Sequence, residues 1–384
     1  MKVTGLKIKR QSKFHIDLVL LFAVLLLVGF GILMVYSASS YQAELRYNDK
    51  FFFMKKQIYG AIAGLVGMIT LYFIDIKKLE KIKWPLFIVS CVLLALVFVP
   101  KIGVQVYGAK RWINLGVITI QPSEIAKFAF VIFSASSLAK MNREVKSLKG
   151  IVPTLLSGAL VCLLIILEPN MSITICVGVT MISMLFIGGA KFKHFLFLAI
   201  PVLILIPVLI IIEPYRLRRL VAFLDPFKSA TGEGFQLVQS LYALGSGGAF
   251  GVGLFNSRQK YLFLPFSESD FIFSIIAEEL GFIGSLALIL VYLVVIVRGI
   301  IIARKASTRF GCYLTSGITT LIAVQLIVNI AVVTGSIPPT GLPLPFISAG
   351  STSLLVFMSA IGVVLNVDRQ SHRAKFNHYA SLTG

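Results

Sequence analysis

Long runs of apolar residues, separated by short polar segments, dominate the chain. Each run has close to the ~20 residues that a helix needs to cross the hydrocarbon of a bilayer. The pattern predicts about ten such spans. They cover residues 17–37, 57–74, 84–100, 123–139, 150–167, 171–189, 195–212, 270–297, 310–334 and 350–367. The predicted fold class is therefore an all-α polytopic integral membrane protein, with residues 1–384 forming one membrane domain.

Lysines and arginines are concentrated in every second loop between these spans, and this bias marks the cytoplasmic side. The basic groups are Lys2, Lys7, Lys9, Arg10 and Lys13; Lys77, Lys78, Lys81 and Lys83; Lys140, Arg143, Lys146 and Lys149; Lys191 and Lys193; Arg298, Arg304, Lys305 and Arg309; and Arg369, Arg373 and Lys375. An even number of spans then places both termini in the cytoplasm, as an N-terminal segment (1–16) and a tail (368–384). The first apolar run exceeds the ~7–15 residues of a signal peptide, so we expect it to be retained.

Composition agrees with a membrane protein and excludes other classes. The chain has 384 residues, of which 57% are hydrophobic and 14% charged, and its net charge is +20. Because this charge follows the loops instead of gathering on one folded face, no nucleic-acid partner is expected. Cys91, Cys162, Cys176 and Cys312 fall inside spans, which argues against an exported disulfide framework. The histidines lack ligand-like spacing, which argues against a histidine metal site, although carboxylates could hold Mg²⁺ or Mn²⁺.

The longest polar segment, residues 213–269, is a large extracytoplasmic loop between spans 7 and 8. Loops of this length are usually functional or disordered, and the frequent Phe, Leu, Tyr and Val argue for order. We expect short interfacial helices, one of them around Gln236 to Leu244. The glycines between Gly245 and Gly253 lack the context of a nucleotide motif. Their amides could cradle an anion, or they could form a tight turn where backbone meets helix.

Two groups of charged residues suggest a site on the outer side. Arg216, Arg218 and Arg219 break the positive-inside trend, and they suit either anionic headgroups and pyrophosphate or a solvated basic patch. Glu124 and Lys127 lie three residues apart on one helix face. Charges inside a span face a cavity or a bundle interior, so this pair could line a site or fix helix packing.

The stretch "ESDFIFSIIAEELGFIG" (268–284) places acidic residues at and just inside the mouth of a span. Asp270 could simply cap the helix. Ser274 and Glu278 follow at i+4 and i+8, so they continue a polar stripe beneath it. A cap explains one acid, whereas a stripe that descends into the bilayer favours a lined cavity.

Several of these segments together resemble the SEDS family of bacterial shape, elongation, division and sporulation proteins (FtsW, RodA and SpoVE). The segments are "GAKRWINLG", "QPSEIAK", "FLDP" with "GEGFQLVQSLYALGSGGAFGVG", "ESDFIFSIIAEELGFIG" and "TGSIPPTGLPLPFISAGSTS". The "PPTGLPLPFISAGSTS" ending and the "DFIFSIIAEELG" segment are more similar to the FtsW and SpoVE branch than to RodA. The resemblance implies a peptidoglycan glycosyltransferase of the bacterial cell membrane, which polymerises lipid II at the outer face during division or sporulation. It also implies a class B penicillin-binding protein as partner, with other divisome or sporulation membrane proteins, and a required acid at Asp270.

We therefore predict that Asp270 is the catalytic base that accepts the proton of the attacking sugar hydroxyl. The predicted substrate-binding residues are Glu124, Lys127, Arg216, Arg218, Arg219, Gln236, Gln239, Ser240 and Glu278. Where many family members have "QPD" after the fifth span, this chain has Asn170, so a salt bridge to Lys127 is in doubt there, or passes to Glu124 or Glu168. The alternative function is a lipid II flippase, which should have a polar path through both leaflets. The inward halves of these spans are almost purely apolar.

Overall fold

A computed structural model of the protein describes residues 15–100, 102–106, 109–114, 119–212 and 214–383. Thirteen α-helices lie within these described ranges. They are α1 (Leu18–Tyr47), α2 (Phe52–Phe73), α3 (Ile76–Lys81), α4 (Lys83–Leu96), α5 (Pro122–Met141), α6 (Leu148–Leu167), α7 (Met171–Ile187), α8 (Phe192–Ile212), α9 (Pro214–Leu224), α10 (Phe235–Gly247), α11 (Ile272–Lys305), α12 (Arg309–Val333) and α13 (Ser351–Thr383). A short 3₁₀ helix, Asn142–Lys146, connects α5 to α6.

Each predicted span coincides with one of these helices. Six of them, α1, α2, α6, α11, α12 and α13, are long and apolar enough to cross a membrane, and α4 and α7 are apolar but shorter. Large apolar side chains such as Phe22, Leu156 and Phe186 are exposed on the outside of the bundle, where lipid would cover them. The multi-pass membrane class is confirmed. The count of ten spans and the cytoplasmic location of both termini stay predictions.

The all-α prediction holds for the spans but did not include one small sheet between them. Between the predicted spans 84–100 and 123–139, the described residues contain a three-stranded antiparallel sheet in the order β1-β2-β3. Its strands are β1 (Gly103–Val106), β2 (Ala109–Asn114) and β3 (Thr119–Ile120). The strands are rich in Val, Ile, Thr and Trp, which favour pleated structure. The strands are too short to leave a clear periodic pattern, and their pairing satisfies backbone groups outside the helical bundle.

Small residues allow close contact between α2 and α13. A methyl group on Gly60 would lie 2.9 Å from Cα of Ser351, and one on Gly64 would lie 2.7 Å from the sulfur of Met358. In a membrane, such small positions let helix backbones approach and gain van der Waals contact. Helix α5 packs against α4, α6 and α12, which encloses most of its surface.

The segment between α12 and α13, residues 334–350, is non-helical, and its later part, residues 342–348, is mostly buried inside the bundle. Leu342, Leu344 and Ile347 are at most 1% exposed. Irregular backbone at this depth is tolerated only where protein groups satisfy it. Gln57 does so from α2, since its Nε2 donates to the carbonyl of Ser348 (3.1 Å) and its Oε1 accepts from the amide of Gly350 (3.2 Å). This segment forms one wall of the candidate site.

Candidate active site

Asp270 lies just before the N-terminal end of α11 but does not cap it. The N-cap position is Phe271, and no side chain makes a capping hydrogen bond there. The cap interpretation of Asp270 is therefore wrong. Its backbone carbonyl accepts a hydrogen bond from Nδ2 of Asn329 (2.8 Å). Within the described part of the chain, no side chain donates a hydrogen bond to the Asp270 carboxylate, so packing does not use it.

The turn 339–343 lies directly against this carboxylate. A methyl group on Gly341 would be 3.0 Å from Oδ2 of Asp270, and Gly341 has a φ of +73°, which favours glycine. Asn329 also donates to the carbonyl of Leu342 (2.7 Å). One α12 side chain thus holds both the turn and the backbone of Asp270, which fixes the carboxylate in place.

Electrostatics around Asp270 suit a proton acceptor. Burial is the main reason that its pKa rises, and the charge of Glu268 raises it further. The positive charges of Arg111 and Arg219 oppose this rise, and the pKa of Asp270 settles at about 6, from 3.8. A general base works best when its pKa is close to the working pH and it is still ionised there. Asp270 meets both conditions at neutral pH.

Two arginines bring positive charge to Asp270 from different elements. Arg111, on β2, donates from Nε to the carbonyl of Glu168 (3.2 Å) and from Nη2 to the carbonyl of Pro169. Arg219, on α9, donates from Nη1 to the carbonyl of Pro339 at 3.5 Å. Guanidinium groups bind phosphate oxygens with directed, charge-assisted hydrogen bonds. The two side chains therefore flank the carboxylate with groups suited to a pyrophosphate.

Glu124 and Lys127 form a fully buried ion pair on α5. Nζ of Lys127 lies 2.8 Å from Oε1 of Glu124 and also 2.8 Å from Oε1 of Gln325 on α12. Gln325 in turn donates from Nε2 to the carbonyl of Pro343 (3.1 Å). The pair thus connects through Gln325 to the turn that lies against Asp270. The described partner of Lys127 is Glu124, so Glu124 fills the role left open by Asn170.

Neither Asn170 nor Glu168 is among the described partners of Lys127. Asn170 is the N-cap of α7, and its Oδ1 accepts from the amide of Ile173 (3.4 Å). Glu168 is fully buried, not an exposed loop acid, and neither of its carboxyl oxygens has a hydrogen-bond partner among the described residues. Burial raises the pKa of Glu168 to about 8, against the opposing charge of Arg111. At neutral pH this group is a neutral carboxylic acid.

The predicted substrate-binding residues on α10, in the loop 213–269, are buried or half-buried and mainly contact the backbone of neighbouring segments. Helix α10 confirms the predicted helix around residues 236–244. Gln236 donates to the carbonyl of Pro265 (3.1 Å), Ser240 donates to the carbonyl of Val333 (2.7 Å), and Gln239 is half-buried.

The outward arginines differ in their surroundings. Nε of Arg218 lies 3.4 Å from Oε1 of Glu233 in an exposed pair. The Arg216 side chain lies outside the described ones. Of the two described members of this group, Arg219 is the one whose charge acts on Asp270.

Glu278 has partners that Asp270 lacks. Its carboxylate accepts from the amides of Arg258 (3.0 Å) and Gln259 (3.4 Å), and from the hydroxyl of Ser257. It also borders a polar cavity of about 420 Å³, shared with Ser246, Val252, Asn256 and Arg258. The predicted polar stripe, Ser274 and Glu278, therefore lies on α11. Glu278, however, holds the 257–259 segment against this helix.

The glycine-rich segment after α10 forms backbone hydrogen bonds with α11 at the point where that helix bends. At Gly281, α11 leaves helical geometry (φ 68°, ψ −168°). The amides of Val252 and Gly253 donate to the carbonyls of Glu278 and Glu279 (both 3.0 Å). In return, the amides of Phe282 and Ile283 donate to the carbonyls of Gly248 (2.9 Å) and Ala249 (3.1 Å). Of the two interpretations of these glycines, the tight turn where backbone meets helix is the one observed, because these amides already have partners.

Sequence reasoning missed three residues that shape the site: Arg111, Gln325 and Asn329. Gln325 and Asn329 lie four residues apart in an otherwise apolar span, and polar residues at that depth mark a site by default. The same argument that selected Glu124 and Lys127 would have found them. Arg111 carried no signal of its own, because its proximity to Asp270 depends on the unpredicted strand β2.

The site could accommodate a divalent ion through Asp270 and Glu268. Mg²⁺ typically takes one or two protein carboxylates and completes its shell with water and substrate phosphates. Two acids near the positive charges of Arg111 and Arg219 fit that pattern. Within the described residues, the one group of three metal-ligating side chains with ligand atoms close together lies elsewhere, at the opposite end of the bundle.

Fold and site define a multi-pass membrane protein with a preorganised carboxylate at the mouth of its helical bundle. Residues 18–373 match the FtsW/RodA/SpoVE family, described as cell cycle proteins. Stage V sporulation protein E of Bacillus subtilis is 41% identical over 357 residues, 92% of this chain and 97% of that protein. The probable peptidoglycan glycosyltransferase FtsW of Trichlorobacter lovleyi is 40% identical over 352 residues, 91% of this chain and 92% of that protein. The chain belongs to the FtsW/RodA/SpoVE family.

Solved structures agree with this assignment. A chain from a peptidoglycan synthase complex that coordinates polymerization and crosslinking superposes with a TM-score of 0.78 at 27% identity, covering 94% of this chain and 99% of that one. The rod shape determining protein RodA of Thermus thermophilus gives a TM-score of 0.69 at 25% identity, covering 94% and 98%. The match over nearly the whole length confirms the fold.

Proposed function

We propose that the protein is a peptidoglycan glycosyltransferase that polymerises lipid II at the outer face of the cell membrane. The observation that carries the proposal is the Asp270 carboxylate, which no described side chain uses for packing and whose pKa is about 6. Arg111 and Arg219 supply positive charge beside it. The names of the FtsW relatives and the structural similarity to a synthase complex support the same activity.

In the proposed reaction, a hydroxyl of the acceptor sugar attacks the anomeric carbon of the donor, and the bond to undecaprenyl pyrophosphate breaks. Asp270 accepts the hydroxyl proton as the new glycosidic bond forms. Arg111 and Arg219 stabilise the negative charge that develops on the departing pyrophosphate. A Mg²⁺ or Mn²⁺ held by Asp270 and Glu268 would add to this stabilisation.

Two of the other predicted substrate-binding residues, Glu124 and Lys127, act through the turn at 339–343. Glu124 and Lys127 position it through Gln325, and Asn329 positions it directly. We propose that this network holds Gly341 against Asp270, so that the carboxylate meets the acceptor in one orientation. Such preorganisation raises the rate because less reorganisation is needed during reaction.

A class B penicillin-binding protein is the proposed partner. The structurally similar synthase complex, which coordinates polymerization with crosslinking, supports this pairing. A transpeptidase beside the outer end of the bundle could crosslink strands as they emerge.

The test is polymerisation by purified protein in lipid nanodiscs with labelled lipid II. We expect glycan strands on a gel, from the protein alone or with a co-purified class B penicillin-binding protein, in an assay that scans Mg²⁺ and Mn²⁺. Penicillin in the assay blocks crosslinking, so that the linear glycan strands can be quantified on the gel. Movement of labelled lipid II across a liposome bilayer, without any polymer under any of these conditions, would instead identify the flippase alternative.

A further inference from the structure

Three metal-ligating side chains meet at the end of the bundle opposite Asp270. His15 precedes α1, whereas Asp368 and His372 lie one turn apart on α13. Nε2 of His15 is 3.1 Å from Oδ2 of Asp368, and Nε2 of His372 is 3.8 Å from Oδ1. The ligand atoms of the three residues all lie within 4.8 Å of one another. The spacing of the histidines along the chain gave no sign that two of them would meet beside one carboxylate.

The central carboxylate is buried without adequate hydrogen bonding. Asp368 is 4% exposed, and its Oδ2 has no hydrogen-bond partner, although His15 Nε2 lies close to it. A buried carboxylate oxygen without a donor is costly unless a cation compensates. The nearby Arg298 is already paired with Asp17, to which its Nε donates at 2.9 Å. The unsatisfied oxygen thus points to a missing positive group at this position.

The two imidazole rings lie close to each other beside the carboxylate. Their centroids are 3.5 Å apart with a tilt of 32°, and neutral imidazole is a common metal ligand. Both side chains are 44% exposed, which leaves room for ring rotation, for entry of an ion and for a water ligand.

The neighbouring contacts hold His15 in register with α13. The hydroxyl of Tyr72 on α2 donates to the carbonyl of His15 (3.0 Å). Two residues later, Asp17 caps α1 by accepting from the amide of Leu20 (3.0 Å) and is held by Arg298 of α11. The His15 backbone is therefore fixed on both sides, and its side chain can reach Asp368 with little loss of freedom.

We propose that His15, Asp368 and His372 bind one divalent transition ion, for which zinc is the best match. Zinc takes imidazole nitrogen and carboxylate oxygen at roughly 2.0–2.2 Å and commonly combines three protein ligands with a water. In a tetrahedral shell with bonds of that length, ligand atoms lie about 3.4 Å apart. The two histidine-to-aspartate distances, 3.1 and 3.8 Å, are close to this value. The widest separation is within 4.8 Å, so the exposed rings would rotate towards the ion on binding. The bound ion would tie the chain before α1 to α13.

The experiment uses the full chain purified in detergent with a tag that contains no histidine, after removal of metals with a chelator. Titration with Co²⁺, a spectroscopic substitute for zinc, should give visible absorption bands that saturate at one ion per chain and disappear on addition of Zn²⁺. Zn²⁺ alone should raise the melting temperature, because an ion that binds only the folded state stabilises it.

The variants His15→Gln and His372→Gln each remove one ligand at an exposed position, so both should fold. Each should lower Co²⁺ affinity by more than the ~10–100-fold caused by losing an outer-shell partner, and neither should be stabilised by Zn²⁺. His194→Gln, which removes a histidine outside the cluster, is the matched control and should bind like the parent. Absence of saturable binding in the parent, or equal Co²⁺ binding by the two ligand variants and the control, would overturn the proposal.

Discussion

Asp270 and Glu279 are acids of one short stretch, yet their surroundings differ in the number of donors. Glu279 accepts hydrogen bonds from the hydroxyl of Ser37 (2.6 Å) and the amide of Ser257 (3.3 Å), and pairs with Nζ of Lys260 at 3.2 Å. The Asp270 carboxylate has no such donors in the described chain, although the backbone around it is tightly held. All three contacts of Glu279 reach Oε1, and its buried Oε2 has no hydrogen-bond partner among the described residues. An acid held by an ion pair and two hydrogen bonds serves packing, whereas one without such donors on a rigid support is available for chemistry.

This difference explains how one membrane helix can carry several acids. Glu278 and Glu279 join the 257–260 segment to α11, and Glu279 also reaches α1 through Ser37. They therefore help to hold the long loop 213–269 against the bundle. Asp270 depends on that loop being in place, because Arg219, whose charge acts on it, belongs to the loop. The packing acids and the proposed base thus contribute to one region in different ways.

The largest expected effect is on catalysis by Asp270→Asn. Asparagine keeps the size of the side chain but cannot accept a proton as a carboxylate does, so polymerisation should fall by about 10²–10⁴-fold. The measurement is the initial rate of glycan formation by purified variant and parent. Asp225→Asn is the matched control, because Asp225 is an exposed acid of the same loop, paired with Lys228, and its loss should leave the rate unchanged. Near-parental polymerisation by Asp270→Asn would refute the base assignment.

For Glu279→Gln we expect the reverse result, a loss of stability with little change in activity. The side chains of Glu279 and Lys260 are 0% and 5% exposed, and removing one partner of a buried pair leaves the other charge uncompensated. The loss of unfolding free energy should be about 3–5 kcal/mol. Thermal unfolding in detergent measures it, while the rate per folded molecule should stay near that of the parent. The double variant Glu279→Gln/Lys260→Met should recover part of the stability. A stable but inactive Glu279→Gln would erase the distinction between the two acids.

Arg219 and Arg218 provide a narrower comparison within α9. Arg219→Gln removes a charge beside Asp270, and one charge-assisted contact is worth roughly 1.5–3 kcal/mol. We therefore expect kcat/KM for lipid II to fall by about 10- to 150-fold. Arg218→Gln removes an exposed pair of small value, so its kcat/KM should change little. Equal effects of the two substitutions would mean that the arginines act only as a diffuse basic patch.

The pH dependence should be the mildest test. Because the pKa of Asp270 is about 6, the base is ionised at pH 7, and the rate should fall about tenfold per pH unit below 6. A rate that stays constant down to pH 5 would contradict the assignment.

The contribution of Asp270 to folding stability should change with pH in the direction opposite to the rate: it decreases as the pH rises. The pKa of Asp270 is raised on folding from 3.8 to about 6, so its contribution to stability is present below pH 3.8 and is lost as the pH rises through 6. At pH 7 the penalty is at most about 3 kcal/mol, since the side chain is only partly buried. Asp270→Asn should therefore be at least as stable as the parent at pH 7, as measured by thermal unfolding.

The pattern of apolar runs was sufficient to predict the membrane class and the position of every long helix, because helix formation in lipid depends on a local stretch of about 20 residues. It was also sufficient to select Asp270, Glu124 and Lys127, since charged groups near or inside apolar runs are unfavourable without a function. Only the tertiary structure decided how those groups are used. Whether an acid is open or satisfied depends on donors from distant segments, such as Ser37 and Lys260 for Glu279.

At both ends of the bundle, the sequence alone could not predict which distant residues come together. The charge of Arg111 acts on Asp270 because β2 lies against the turn after α6. His15 meets His372 because the start of α1 lies beside the later part of α13. Local periodicity carries no information about either encounter, since residues so far apart in the chain come together only through the packing of whole helices. The sequence by itself determined the elements and the polar residues placed in them. Tertiary packing decided which polar residues share a site.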